Sequence, residues 1–129
     1  MSETVASGTF VVKMTPAGGV DPAIGSMALD KSYSGDLEAS GVGQMLAVRG
    51  AVEGSAGYVA MERVTGSLNG RSGSFALQHE GIMDRGTPSL TIQIVPDSGT
   101  DTLTGLRGTL EIEVTGGQHH YRLRYTLPE

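Results

Sequence analysis

Glu62 and His79 are the two residues whose types and placement point most directly to proton chemistry. They flank Asn69-Gly70, the strongest short hairpin signal, and pairing outward from a two-residue turn sets Val64 opposite Phe75, Glu62 opposite Leu77 and Ala60 opposite His79. Val64, Phe75 and Leu77 mark that face as the core side, so Glu62 and His79 are expected inside as diagonal neighbours, with Tyr58 on the same face. A four-residue loop would oppose them directly, and only a three-residue loop would separate their faces. Burial raises a carboxyl's pKa and lowers an imidazole's, whereas pairing favours both charged forms. The two titrations are then coupled, and the pair suits general acid–base work, with Glu62 and His79 as candidate catalytic residues. The same pair also reads as a hydrogen-bonded polar plug in a small core.

Around this pair, Tyr58, Leu77, Tyr121, Tyr33 and Lys31 are candidate ligand-binding residues. Lys31 and Tyr33 share a strand face with Met27 and Leu29, and a turn at Gly35-Asp36 would set Tyr33 against Glu38 and Lys31 against Ser40. A lysine near a strand end otherwise snorkels to solvent. Buried tyrosine hydroxyls need partners, and Tyr58, Tyr121 and Tyr125 either orient a ligand or pack a core that has only 2 Phe. His119 and His120 are adjacent, so a regular strand points them to opposite faces and they cannot share one ion. Asp97-Ser98-Gly99-Thr100-Asp101 has oxygen ligands but lacks calcium-loop spacing, and a turn after Pro96 accounts for it. No nucleophile elbow, phosphate loop or dinucleotide fingerprint is present, so no metal and no cofactor is expected.

The elements that must position these groups are strands. Alternation of period two predicts Thr4–Met14, Ser26–Tyr33, Leu37–Arg49, Gly57–Leu68, Arg71–Ile82, Ser89–Val95, Gly105–Val114 and His119–Leu127. No Gly-free run of ten or more residues shows helical periodicity, and Gly, which disfavours helix interiors, occurs 20 times in 129 residues. Gly116-Gly117 predicts a second tight hairpin that pairs Val114 with His119, Ile112 with Tyr121, Leu110 with Leu123 and Gly108 with Tyr125. Its opposite face carries Glu113 against His120 and Glu111 against Arg122, and a one-residue slip would bury those charges. Eight long strands with one apolar face each and no blunted edge favour an all-β, eight-stranded antiparallel closed barrel, a single domain over residues 1–129. With 9 Lys+Arg against 14 Asp+Glu, the net charge of −5 would repel a phosphate backbone, so no nucleic acid is expected as partner. Zero Cys, no signal-like N-terminus and no apolar run of membrane-spanning length point to a reducing cytoplasm and no membrane.

The strings SYSGDLEASGVGQML, GSAGYVAMERVTGSLNGRSGSFALQHEG, PSLTIQIVPDSGT and QHHYRLRYTLP resemble the uncharacterised bacterial family numbered three-two-two-four among the domains of unknown function, from Gly8 to Pro128. The resemblance implies an allene oxide cyclase-like barrel and supplies no activity. Other proteins of that fold, cyclases among them, hold reactive intermediates inside a barrel, which is analogy at the level of fold. The expected function is therefore binding of a small, largely apolar molecule in a cavity lined by Tyr58, Glu62, Leu77, His79 and Tyr121, with a cyclase- or isomerase-like enzyme as its catalytic version. The rival is a filled, non-catalytic barrel that assembles with copies of itself or another protein through Val59 and Met61 on the outer face of the fourth strand.

Overall fold

The structure, a computed structural model, describes residues 2–128. Its strands are β1 (Thr4–Pro16), β2 (Gly25–Gly35), β3 (Leu37–Arg49), β4 (Ala56–Leu68), β5 (Arg71–Asp84), β6 (Thr87–Ile94), β7 (Arg107–Thr115) and β8 (Gln118–Thr126). They form a closed antiparallel barrel in sequence order. Alternation fixes which side chains enter it: Ala60, Glu62 and Val64 of β4 are buried while Val59, Met61 and Arg63 between them are exposed. One row of partners runs from Val5 through Arg124, Thr109, Gln93, Gln78, Met61, Gln44 and Ala28, and returns to β1 at Thr15, ten residues beyond its start. That stagger is what tilts the strands and closes the sheet.

Both tight hairpins have the predicted register. Asn69 (φ 48°) and Gly70 (φ 83°) both lie at positive φ, the geometry of a two-residue turn whose twist matches its strands. Val64 accordingly opposes Phe75, and Ala60 opposes His79. Gly116-Gly117 likewise sets Val114 against His119 and Ile112 against Tyr121.

The β2–β3 reversal differs from the Gly35-Asp36 expectation. Tyr33 opposes Ala39 rather than Glu38, and Lys31 opposes Gly41 rather than Ser40. Asp36 is drawn toward β1, where its amide donates to the Ser7 carbonyl at 3.1 Å and its carboxylate accepts from the Ser7 amide at 3.0 Å. The reversal therefore consumes one residue more, which turns Leu37 inward and Glu38 outward.

One barrel end is packed shut by Leu37, Leu68, Phe75, Leu103, Leu106 and Leu123. Leu103 arrives on a 3-10 turn, Asp101–Leu103, the only helical piece among the described residues. Sequence periodicity does not predict it. Gly105, expected to begin a strand, instead turns the chain at φ 86°, and β7 starts two residues later. The barrel wall is uneven: β6 pairs with β5 from Asp84↔Thr87 to Leu77↔Ile94, but meets β7 only at Gln93↔Thr109.

Candidate functional site

Glu62 sits at the middle of the barrel with its carboxylate enclosed. Oε1 accepts from Lys31 Nζ and His79 Nε2, each at 3.0 Å, and Oε2 accepts from the Tyr33 hydroxyl. The partners come from two parts of the wall. His79 is the diagonal neighbour across the β4–β5 ladder, while Lys31 and Tyr33 reach over from β2, beyond β3. Gly41 of the intervening β3 makes the reach feasible, because a Cβ there would collide with the Glu62 carboxylate and crowd the Tyr33 ring. Phe10 completes the group, its ring centroid 5.0 Å from Lys31 Nζ and 5.5 Å from the Tyr33 ring.

The electrostatics follow from this geometry. Burial alone would push the Glu62 pKa up, but the His79 hydrogen bond, the Lys31 charge and the bonds from Tyr33 and Lys31 outweigh it, so its carboxyl is held below the ordinary range. For Tyr33, burial, the Glu62 charge and its bond to Glu62 all act in one direction and keep the hydroxyl protonated far above its usual range. No buried side-chain polar atom among the described residues lacks a hydrogen-bond partner. The cluster is a satisfied network built around one anion, and it can hold or relay a proton at the imidazole.

Beyond this cluster, toward the end opposite the leucine plug, β3 to β6 line a cavity of ≈ 360 Å³ whose walls include Met45, Ala47, Tyr58, Gly81, Met83 and Leu90. Met45, Ala60 and His79 lie in one row across the strands, and the next inward row, Ala47, Tyr58, Gly81 and Leu90, lines the cavity together with Met45. The cluster thus lies directly behind the cavity. A larger concavity, ≈ 660 Å³, runs over the outside of β7, β8 and β1 past Glu111, Glu113, His120 and Arg122. It is a polar trough on the convex wall, away from the buried network, and the interior cavity is the better candidate.

Of the residues expected to line one pocket, only Tyr58 lines this cavity. Glu62, His79, Lys31 and Tyr33 are brought together behind it, and Leu77 is fully buried beside them, opposite Glu62. Tyr58 is half-buried, and burial raises its pKa. Tyr121 stands apart by its hydroxyl, which accepts from the Leu37 amide at 2.9 Å and lies 3.0 Å from the Ser34 carbonyl, stitching β8 to the β2–β3 reversal. Burial, with the Asp36 and Glu38 charges nearby, raises its pKa against the opposing effect of the Leu37 amide. Tyr125 is similarly engaged, accepting from Asn69 Nδ2 at 2.7 Å.

His119 and His120 do point to opposite faces: His119 stacks inward on Phe10 at 5.0 Å, and His120 borders the outer trough. Among the described residues no group of three or more His, Asp or Glu side chains gathers as a metal site. No helix there is long and apolar enough to cross a membrane. Phe10 and Gly41 are the cluster members that sequence reasoning missed. A glycine on a strand face otherwise apolar is the signal at Gly41, where the Glu62 carboxylate and the Tyr33 ring cross above the strand.

A family model described as "Protein of unknown function (DUF3224)" matches residues 6–125. A crystal structure at 1.84 Å resolution of a protein of unknown function from that family, from Shewanella oneidensis MR-1, shares 46% identity with this chain. The match covers 99% of each chain with a TM-score of 0.94. No curated protein matches.

Proposed function

The chain belongs to the DUF3224 family, described only as being of unknown function, and from the geometry of its barrel we propose that it binds a small, largely apolar molecule in the cavity between β3 and β6. The observation that carries this reading is the apolar cavity of ≈ 360 Å³ with a charged, fully hydrogen-bonded cluster behind it. Ligand sites of this size combine hydrophobic walls with a few fixed polar groups. In an enzymatic version, a cyclase or isomerase, His79 moves the proton and Glu62 orients the imidazole while the walls select a folded conformer.

The test is to compare organic extracts of the purified native protein and of Ala47→Phe, which fills the cavity without touching the cluster. The expected result is a small apolar molecule, detected by mass spectrometry, that is depleted from the variant. Identical extracts would remove the cavity as a binding site. For the enzymatic version, turnover of a panel of cyclisable substrates should fall in Glu62→Gln, and equal rates would take Glu62 out of the mechanism.

A second reading rests on a separate observation. Val42 and Leu46 of β3 and Val59 and Met61 of β4 are all exposed on neighbouring positions of the outer wall, a patch suited to contact with another copy. Sedimentation of native protein and Met61→Glu separates the cases: a dimer dissociated by the substitution supports assembly, and a native monomer rejects it.

A further inference from the structure

The cavity between β3 and β6 carries a charge at its mouth. Alternation puts Met45, Ala47 and Arg49 of β3 on one face in successive rows, and the outermost row runs through Arg49, Ala56, Met83 and Pro88. All four line the cavity, and Arg49 is the one charged residue in its lining among the described residues. At the rise of an extended strand, Met45 lies about 13 Å from Arg49 along the wall. The deeper part is apolar: Met45 and Ala47 stand on one side and Leu90 on the other, with the Tyr58 ring so close over Gly81 that a Cβ there would collide with it. Arg49 is exposed at the rim and enters none of the salt bridges among the described residues, although Glu53 lines the adjoining concavity with it. An apolar recess therefore ends in a cation without a counter-ion.

We infer that this cavity takes an amphipathic monocarboxylate, a medium-chain acid whose apolar tail enters the recess while its carboxylate rests on the Arg49 guanidinium at the rim. The inference rests on the reading of the cavity as a ligand site and adds the ligand's head group and its orientation. A guanidinium fork matches a carboxylate with two parallel hydrogen bonds. One cation balances one negative charge, so a dianionic phosphate head would leave charge in excess beside Glu53, on a chain whose net charge is already −5. Entry head-first is unfavourable, because Lys31 is already bonded to Glu62 at 3.0 Å and the carboxylate would lose its water without gaining a free cation. The tail instead loses water against Met45, Met83 and Leu90, and the two methionines adapt to its shape.

The experiment titrates the full chain with octanoate and with octanol, which share a tail length and differ in the head, by calorimetry below the concentration at which micelles form. Native protein, Arg49→Gln and Ala47→Phe are compared, each shown to be folded by circular dichroism. Arg49→Gln should weaken octanoate about tenfold, the loss of one charge-assisted contact, and leave octanol unchanged. Added salt should weaken octanoate on the native protein and not octanol, and Ala47→Phe should lose both ligands. An octanoate affinity indifferent to Arg49→Gln, or native protein that binds octanol alone, would overturn the inference and leave the cavity as an apolar site. Octanoate that still binds Ala47→Phe with native affinity sits outside the cavity and would overturn it too. Binding of neither ligand by the native protein would overturn both the inference and the reading it rests on.

Discussion

Replacing Glu62 with Gln keeps the shape of the side chain and removes the one charge around which the barrel interior is organised. Lys31 Nζ, 3.0 Å from Oε1 and in a side chain only 7% exposed, would be left as a buried ammonium without a counter-ion. The Tyr33 hydroxyl and His79 Nε2 would compete for a single amide oxygen, with an amide N–H facing one of them. Breaking a buried pair by removing one partner costs about 3–5 kcal/mol, and the surviving amide oxygen places Glu62→Gln near the lower end, about 3 kcal/mol. For a chain of this length that is roughly a 10 °C fall in Tm. Lys31→Met alone should cost a similar amount, because it strands the carboxylate. The double variant removes both charges at once and should lie within about 1–2 kcal/mol of the native protein, giving a coupling energy of at least about 2 kcal/mol. Urea unfolding at neutral pH, followed by circular dichroism, measures all four corners of the cycle. Additive losses in the double variant would refute the claim that the two charges stabilise each other.

The depressed Glu62 pKa makes its contribution to stability complete above the unfolded-state value of about 4.3 and lost as pH falls through the lower folded value, so Glu62→Gln should flatten that part of the acid-unfolding profile. Tyr33 has the opposite sign: its folded pKa is raised, so its contribution holds below about 10 and drains away at higher pH, and Tyr33→Phe should unfold less steeply in alkali. Gly41→Ala should cost about 1–3 kcal/mol or more by forcing a Cβ into the Glu62 carboxylate, and calorimetric unfolding should show a loss well above that of Gly18→Ala, where a Cβ meets nothing. Asn69→Gly should preserve the hairpin while losing about 1 kcal/mol with the bond to Tyr125, and pairing with Tyr125→Phe should abolish the difference.

The two hairpins were legible because their turns are encoded locally: Asn69-Gly70 and Gly116-Gly117 accept positive φ, and the alternating residues beside them leave one register with charges outside. That was enough to bring Glu62 and His79 together. The β2–β3 register was not legible, since it depends on Asp36 bonding to Ser7, which is 29 positions away. With that register went the link from Lys31 and Tyr33 to Glu62, a contact across two ladders that no adjacent-strand pairing rule reports. The role of Tyr121 was hidden for the same reason, because its hydroxyl serves backbone groups of a distant reversal. Leu103 and Leu106 lie in a turn without periodicity, and their burial becomes apparent only once the barrel has an end to close. Pro88 did carry a signal: a proline inside β6 is tolerable only where the neighbouring ladder is missing, which is the side facing β7.

That single bridge at Gln93↔Thr109 divides the molecule in a way its chain order conceals. The first and last strands are knitted together over Thr4↔Tyr125 to Phe10↔His119, so the weakest line of the cylinder falls within the chain, between β6 and β7, and the first and last strands are among its best-secured parts. Thermal breathing should follow that line. Strands β6 and β7 lack a continuous ladder, whereas the Glu62 network is anchored on β2, β4 and β5, so local opening along that line leaves the network whole.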